Sequence, residues 1–375
     1  MYDCIIAGIS EIWTKSEGVR RLLIKRLTQH IKSQIPELKI EVRRGRFILK
    51  PYSEDYVNKL LKIFGIKFCA PSFIVPTEYD KILGKLAEII ESRKNNFSYK
   101  LEVKRVWKGY PMTSVDLKRK LGKELEEKIK HARVDIHNPD LRIFVELHKD
   151  LTIIYYQKFE GVDGYPVGTQ GKALALFSGG IDSPVAAWLA AKRGLLPILF
   201  TLNVSGSAHQ THVLFVYSQL LEWIPSAKLY VIDAMDLREA IINNVRNGYR
   251  QMIFKVFLYK VAEAVARKLN VKAVITGESL GQVSTQTLDS LEILDKFVNI
   301  LFLRPLIGMN KEEITKLAGR IGTFDISSTM VEFCMLEKHA TAQPKEEIVK
   351  QEFEKVLKII TIDELLQRLR LLEEP

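Results

Sequence analysis

Cysteine is scarce in this chain: 375 residues hold three, Cys4, Cys69 and Cys334. They are too few and too widely spaced to form a zinc cluster alone or a disulfide framework, so no metal centre is expected. No apolar run approaches the ~20 residues of a membrane helix. The opening Met1-Tyr2-Asp3-Cys4 carries no basic segment and no cleavage signature, so no secretory leader is expected. These absences point to a cytoplasmic protein with no membrane partner. Acidic residues are also in deficit, with 56 Lys and Arg against 45 Asp and Glu and a net charge of +11. The deficit is local. Residues 1–165 carry 32 basic and 22 acidic side chains, whereas residues 166–375 carry 24 and 23. A basic N-terminal half suggests a polyanionic partner, with a lysine-rich solubilising surface as the plainer alternative.

The most informative segment is Ser178-Gly179-Gly180-Ile181-Asp182-Ser183. It follows an apolar run, Ala173 to Phe177, that reads as a buried strand. It precedes Pro184 to Arg193, which reads as a helix ending at Gly194. Strand, glycine turn and helix N-terminus together form an anion site, because free N–H groups and the positive dipole end converge there. The turn lacks the lysine of G-x-x-x-x-G-K-[ST] and the spacing of G-x-G-x-x-G. It resembles instead the PP-loop, SGGxDS, of the ATP pyrophosphatase superfamily, which cleaves ATP between the α- and β-phosphates. By that resemblance Asp182 would hold or orient a magnesium-bound pyrophosphate.

The chain divides at composition and pattern changes into 1–60, 61–165 and 166–375. Residues 2–9 read as a strand. Ser16 to Gln34 reads as a helix with a basic face (Arg20, Arg21, Lys25, Arg26, Lys32) opposite Leu22, Leu23, Leu27 and Ile31. Ile40 to Leu49 reads as one strand carrying Arg43 and Arg44, followed by a helix from Ser53 to Phe64. This β-α-β-α order suits a small ferredoxin-like α+β unit. In the second unit Cys69 to Val75 reads as a strand, with Pro71 favouring a sheet edge. Further elements are a helix over Glu78 to Arg93, a strand over Tyr99 to Lys108, a helix from Thr113 or Ser114 to about Lys130, and strands over Leu141 to Leu147 and Leu151 to Phe159. Gly161 to Gly171 reads as a linker. Beyond it, strands at Ala173–Phe177, Leu196–Leu202, Lys228–Ile232 and Ala273–Thr276 alternate with helices. Such alternation predicts an α/β fold with a doubly wound parallel sheet, preceded by two small α+β domains.

Further blocks follow in fixed order: Tyr110-Pro111-Met112-Thr113-Ser114, Pro166-Val167-Gly168-Thr169, Thr276-Gly277-Glu278-Ser279-Leu280-Gly281-Gln282-Val283 with Gln286-Thr287, and Leu303-Arg304-Pro305-Leu306-Ile307-Gly308-Met309-Asn310-Lys311. Together with the PP-loop these resemble the tRNA 4-thiouridine synthetase family, ThiI, over nearly the whole chain. The resemblance implies a ferredoxin-like domain, a THUMP domain and a PP-loop domain. It implies ATP and Mg2+ as cofactors, tRNA as partner, and adenylation of a uridine 4-oxygen followed by displacement of AMP by sulfur. By family position, ATP is expected at Leu176, Phe177, Ser178, Gly179, Gly180, Asp182, Ser183, Thr201, Leu202, Lys255, Gly277 and Gln286. Thr201-Leu202 replaces the His-Phe more usual there. Lys255 stands where arginine is frequent, which keeps the charge but loses the bidentate fork. Asp182, Lys311 and Cys334 are the expected catalytic residues. RNA contacts are expected at Arg20, Arg21, Lys25, Arg43, Arg44, Met112, Thr113, Ser114, Lys118 and Arg119.

Cys334 matches a family cysteine of sulfur handling. Longer members carry a second cysteine in a C-terminal rhodanese-like domain, for which this chain has no room before Pro375. An external sulfur donor is therefore expected: a desulfurase, a persulfide carrier or free sulfide. Some relatives feed thiamine synthesis, a role the sequence leaves open, as it does a homodimer. His209 and His212 form an H-x-x-H pair without acidic or cysteine neighbours in sequence; they could line the mouth of the site. Two other readings compete. One is a PP-loop ligase adenylating a small carboxylate, disfavoured by the basic N-terminal half. The other is a non-catalytic RNA-binding protein, disfavoured by the intact Ser178, Asp182 and Lys311.

Overall fold

The computed structural model describes every residue except 1, 10, 330–335, 338 and 373–375. Two compact units divide it, Met1–Gly164 and Tyr165–Pro375.

In the first unit the strands are β1 (Cys4–Gly8), β2 (Lys39–Arg43), β3 (Arg46–Lys50), β4 (Phe68–Val75), β5 (Phe97–Arg105), β6 (Ala132–Val134), β7 (Leu141–Leu147), β8 (Thr152–Tyr155) and β9 (Phe159–Glu160). Its helices are α1 (Glu17–Gln34), α2 (Glu54–Leu61), α3 (Tyr79–Glu91) and α4 (Ser114–Lys128). One sheet runs β2-β3-β1-β4-β8-β7-β5-β6, with β9 paired to β4. The strands of the first two sequence segments therefore share a single sheet.

Three readings need correction here. The expected strand over Ile40 to Leu49 is a hairpin, because Gly45 adopts φ +74° and turns β2 antiparallel onto β3. Pro71 is not on an edge strand: β4 pairs with β1 from Phe68 to Ser72. On the other flank, β9 pairs with Phe68 and Cys69, and β8 with Phe73 to Val75. Pro71 falls in the gap between them, where its missing N–H costs no ladder bond. Leu22 is 61% exposed, because the i, i+4, i+8 row of Leu23, Leu27 and Ile31 fills the buried face of α1.

In the second unit the strands are β10 (Lys172–Leu176), β11 (Leu196–Asn203), β12 (Lys228–Asp233), β13 (Ala273–Ile275), β14 (Leu301–Leu303) and β15 (Arg370–Leu372). The helices are α5 (Asp182–Lys192), α6 (Ser207–Leu221), α7 (Met235–Asn244), α8 (Arg250–Lys268), α9 (Leu288–Lys296), α10 (Lys311–Ile321), α11 (Phe324–Ser328), α12 (Glu346–Leu357) and α13 (Ile362–Gln367). The sheet order is β14-β13-β10-β11-β12-β15, parallel except for the β15 edge. Its parallel strands are apolar runs because helices cover both faces. From β10 the chain winds outward through β11 and β12, then crosses back to β13. The switch point thus lies between the carboxyl ends of β10 and β13, where open α/β sheets bind ligands. Among the described residues, no helix is long and apolar enough to cross a membrane.

Candidate active site

β10 ends at Leu176, and the chain turns through residues 177–181 into α5, whose first residue is Asp182. Gly179 adopts φ +79°, and a Cβ there would lie 2.9 Å from Cδ2 of His212 and 3.3 Å from Val213. Only glycine satisfies both the dihedral and the space. Ser183 Oγ accepts from Ser178 N at 3.2 Å and tethers the turn to the first helical turn. The unpaired N–H groups and positive dipole end of α5 open at this point.

Two histidines of α6 close the turn from the other side. His209 Nε2 lies 3.0 Å from the Ser178 carbonyl oxygen, and His212 Nε2 lies 3.1 Å from that of Gly179. A carbonyl can only accept, so each ring donates from Nε2. Burial holds His209 below the ordinary imidazole range, against the Ser178 hydrogen bond, which favours the proton.

A cavity of about 220 Å³ opens at the switch point. It is lined by Leu176, Phe177, Ser178, Asp182, Ser183, Thr201, Leu202, Lys255, Gly277 and Gln286, together with Phe200, His209, Gln251, Phe254, Leu258, Thr276 and Glu278. Gly179 and Gly180 belong to the adjoining turn without lining the cavity. Gly277 packs so closely on α5 that a Cβ would stand 3.0 Å from the Asp182 carbonyl carbon and 3.1 Å from Ser183 N. The Gln286 side chain is buried, and its Oε1 accepts from Ser279 N at 3.2 Å.

Asp182 and Lys311 are 129 residues apart in sequence, yet Lys311 Nζ donates to Asp182 Oδ1 at 2.7 Å. Gln282 Nε2 donates to Asp182 Oδ2 at 2.8 Å. Local structure sets the lysine: Asn310 caps α10 in a reciprocal capping box with Glu313, which fixes Lys311 as the first helical residue. It is thus both a helix first-turn residue and a partner of the PP-loop aspartate.

The centre that sequence reasoning missed is Glu278. Its carboxylate is 2% exposed and receives four donors. Lys255 Nζ reaches Oε1 at 2.9 Å. Tyr259 Oη, Thr276 Oγ1 and Arg304 Nε reach Oε2 at 2.5, 2.9 and 3.1 Å. Lys255 and Tyr259 share a face of α8 at i, i+4. Burial alone would raise the Glu278 pKa; the Lys255 charge, the Tyr259 and Lys255 hydrogen bonds and the Arg304 charge outweigh it and hold it at about 2. The signal was present as a glutamate in the TGES block and an arginine in LRPLIG, but nothing in the sequence paired them.

The expected RNA contacts lie in the first unit and are not gathered in one place. Arg20 lies over the Trp13 ring at 4.7 Å, and Arg21 pairs with Glu17. Arg43 is held by both oxygens of Asp150, at 2.7 and 2.8 Å, and by Glu41 at 2.6 Å. Lys25 and Arg44 are exposed; Arg44 lines a concavity with Trp13, Arg46, Lys104, Arg105 and Lys108. Ser114, Lys118 and Arg119 line a separate groove along α4. Thr113 caps that helix, its Oγ1 accepting from Asp116 N at 3.1 Å, and the Met112 carbonyl accepts from Arg105 at 2.8 Å. Cys334 lies outside the described residues. Cys4 and Cys69 are free thiols in the core of the first unit. Burial pushes Cys4 up to about 12 and Cys69 higher still.

A doubly wound sheet with an SGGIDS turn at its switch point defines a PP-loop nucleotide fold, here joined to a basic α+β unit. Family models agree: residues 168–358 match Thiamine biosynthesis protein (ThiI), residues 77–157 the THUMP domain, and residues 4–69 the ThiI ferredoxin-like domain. The chain is 34% identical over 366 residues to a probable tRNA sulfurtransferase of Saccharolobus islandicus, spanning 94% of this chain and 97% of that one. It is 33% identical over 373 residues to a protein of the same description from Thermoanaerobacter, spanning 95% and 97%. A 4-thiouridine synthetase, solved as an RNA complex with bound ATP, superposes with TM-score 0.84 at 27% identity over the full length of both chains. A Pyrococcus horikoshii protein shares the fold at TM-score 0.68, covering 85% of this chain and 99% of that one. The chain belongs to the ThiI family.

Proposed function

We propose that this chain is an ATP-dependent tRNA uridine 4-sulfurtransferase. In the first step the uridine 4-oxygen attacks the α-phosphorus of ATP, the α–β bridge breaks and pyrophosphate leaves. In the second, a sulfur nucleophile adds at C4, the C–O bond breaks and AMP departs. A uridine 4-oxygen is a poor leaving group, and adenylation makes it a good one.

The observation that carries this reading is the convergence of the SGGIDS turn, the α5 N-terminus and the Asp182–Lys311 pair at one cavity mouth. The N–H groups of residues 179–181 and the α5 dipole receive the departing diphosphate. Lys311, released from Asp182, adds a cation to the charge developing there. Leu176, Phe177, Thr201, Leu202, Gly277 and Gln286 seat the nucleoside, and Lys255, held by Glu278, offers a positive edge to the phosphates. One carboxylate with serine hydroxyls beside it is the hard-oxygen set that suits Mg2+, which keeps most of its shell for phosphates and water. Asp182, with Ser183 and Ser178, would hold it, and it would neutralise the leaving phosphate charge.

The segments 1–60 and 61–165 are assigned to tRNA binding and 166–375 to chemistry. Arg20, Arg21, Lys25, Arg44, Lys118 and Arg119, with Met112, Thr113 and Ser114 at the start of α4, serve as the phosphate-contacting surface, and Arg43 supports it through Asp150. Sulfur comes from an external donor, either as sulfide or as a persulfide. A persulfide displaces AMP to leave a C4–S–S–carrier link. The Cys334 thiolate attacks the carrier sulfur, so that the S–S bond breaks and the 4-thiouridine sulfur is released. The resulting Cys334–carrier disulfide is reduced by an external thiol. The buried, strongly protonated Cys4 and Cys69 are unsuited to that work. The test is Asp182→Ala. AMP and pyrophosphate formation should fall by about a hundredfold or more, with tRNA affinity unchanged. Undiminished AMP formation would refute the assignment.

A further inference from the structure

A PP-loop binds phosphate through its N–H groups, so whatever fixes its peptide planes fixes its affinity. In a trans peptide the carbonyl of one residue and the N–H of the next point in opposite directions. A group that holds the carbonyl therefore aims the N–H. Here two carbonyls of the turn are held, and both from one helix. His209 and His212 sit at i, i+3 on α6 and so share a face. Their Nε2 atoms lie 3.0 and 3.1 Å from the carbonyl oxygens of Ser178 and Gly179. Those two bonds direct the N–H groups of Gly179 and Gly180 away from α6. The Gly180 N–H now meets Ser178 Oγ at 3.4 Å, a long contact that a phosphate oxygen can replace.

The anchor is itself supported. His209 is 1% exposed, so the packing around it fixes its ring. The glycine at position 179 belongs to the same device, since a Cβ there would stand 2.9 Å from the His212 ring and push it off its carbonyl.

We propose that His209 and His212 are positioning residues for the nucleotide: two imidazole donors that orient the PP-loop peptides toward the phosphates. Neither is assigned contact with the reacting atoms. The inference rests on the ATP-binding part of the proposed function and goes beyond it by naming what shapes the loop.

The test uses the full chain and ATP as ligand. His212→Phe keeps the ring bulk and removes the donor; His212→Gln keeps a donor at the Nε2 position. His212→Phe should bind ATP roughly tenfold more weakly, the cost of one lost donor facing a carbonyl. His212→Gln should recover affinity to within about threefold of wild type. Both should unfold at the same urea midpoint as wild type, which separates orientation from stability. Equal ATP affinity for His212→Phe and wild type overturns the proposal, as does a His212→Gln variant no better than His212→Phe. A wild-type chain that binds no ATP overturns this proposal and the proposed function together. If wild type binds ATP and the variants rank as expected while no thiolated uridine forms, the histidine assignment stands and the sulfur-transfer reading falls.

Discussion

Replacing Glu278 by glutamine removes one negative charge from a site where two cations and two hydroxyls converge. Glu278 is 2% exposed, and the Lys255 and Arg304 side chains are 17% and 15% exposed. None of the three can turn freely to water. Removing one partner of a buried ion pair costs about 3–5 kcal/mol, because the remaining charge is left uncompensated. Arg304 keeps Asp295 as a second partner, at 3.1 Å through Nη1 and 2.5 Å through Nη2, which places the expected cost at the lower end, near 3 kcal/mol. The proton linkage gives a similar size: a carboxyl held at about 2 rather than 4.5 contributes about 3 kcal/mol. Because the folded pKa is depressed, that contribution is complete above about pH 4.5 and is lost as the pH falls toward 2. Urea unfolding of wild type and Glu278→Gln should therefore differ by about 3 kcal/mol at neutral pH, and the gap should close through that acid window. ATP affinity should fall as well, because Lys255 loses its anchor. A difference below about 1 kcal/mol at neutral pH, or one that does not change with acid, would refute the reasoning.

Three further outcomes are expected. Gly277→Ala should cost about 1–3 kcal/mol and weaken ATP binding, since its Cβ would press on the backbone of Asp182 and Ser183, whereas Gly308→Ala, with nothing within 4 Å, should be neutral; equal stabilities in urea melts would contradict this. Reversing Arg44, Lys118 and Arg119 to glutamate should weaken tRNA binding and lower the salt slope of log K by roughly 0.7–0.9 per lost phosphate contact; an unaltered slope in filter binding would mean that tRNA docks elsewhere. Cys334→Ser should stop turnover driven by a persulfide donor and spare turnover driven by free sulfide; full activity with the persulfide would make that cysteine a bystander.

Much of the second unit was legible because its signals are local. Strands β10 to β13 are short apolar runs bounded by turns, and the SGGIDS turn announces its own backbone. The residues around the cavity could be listed because they sit at strand ends or in contiguous blocks. Long-range pairings were not legible. Nothing near Lys311 in sequence points to Asp182, and nothing in the TGES block points to Arg304. The H-x-x-H pair reads in sequence as lining the mouth of the site; its Nε2 partners are backbone carbonyls, which no sequence pattern displays. In the first unit the failures were of register and edge. Gly45 was read inside a strand because hydrophobic alternation continues on both sides of it, and Pro71 was placed at an edge because a broken neighbour ladder leaves no trace in sequence. Arg43 looked like a free cation, but Asp150, 107 residues away, already holds it.

The most direct measurement is incubation of the chain with ATP, magnesium, sulfide and unmodified tRNA, followed by nucleoside analysis of the RNA and separation of the nucleotides. The account predicts 4-thiouridine in the tRNA, with AMP and pyrophosphate formed in equal amounts. Release of ADP and phosphate, or AMP formed with no thiolated nucleoside, would contradict it.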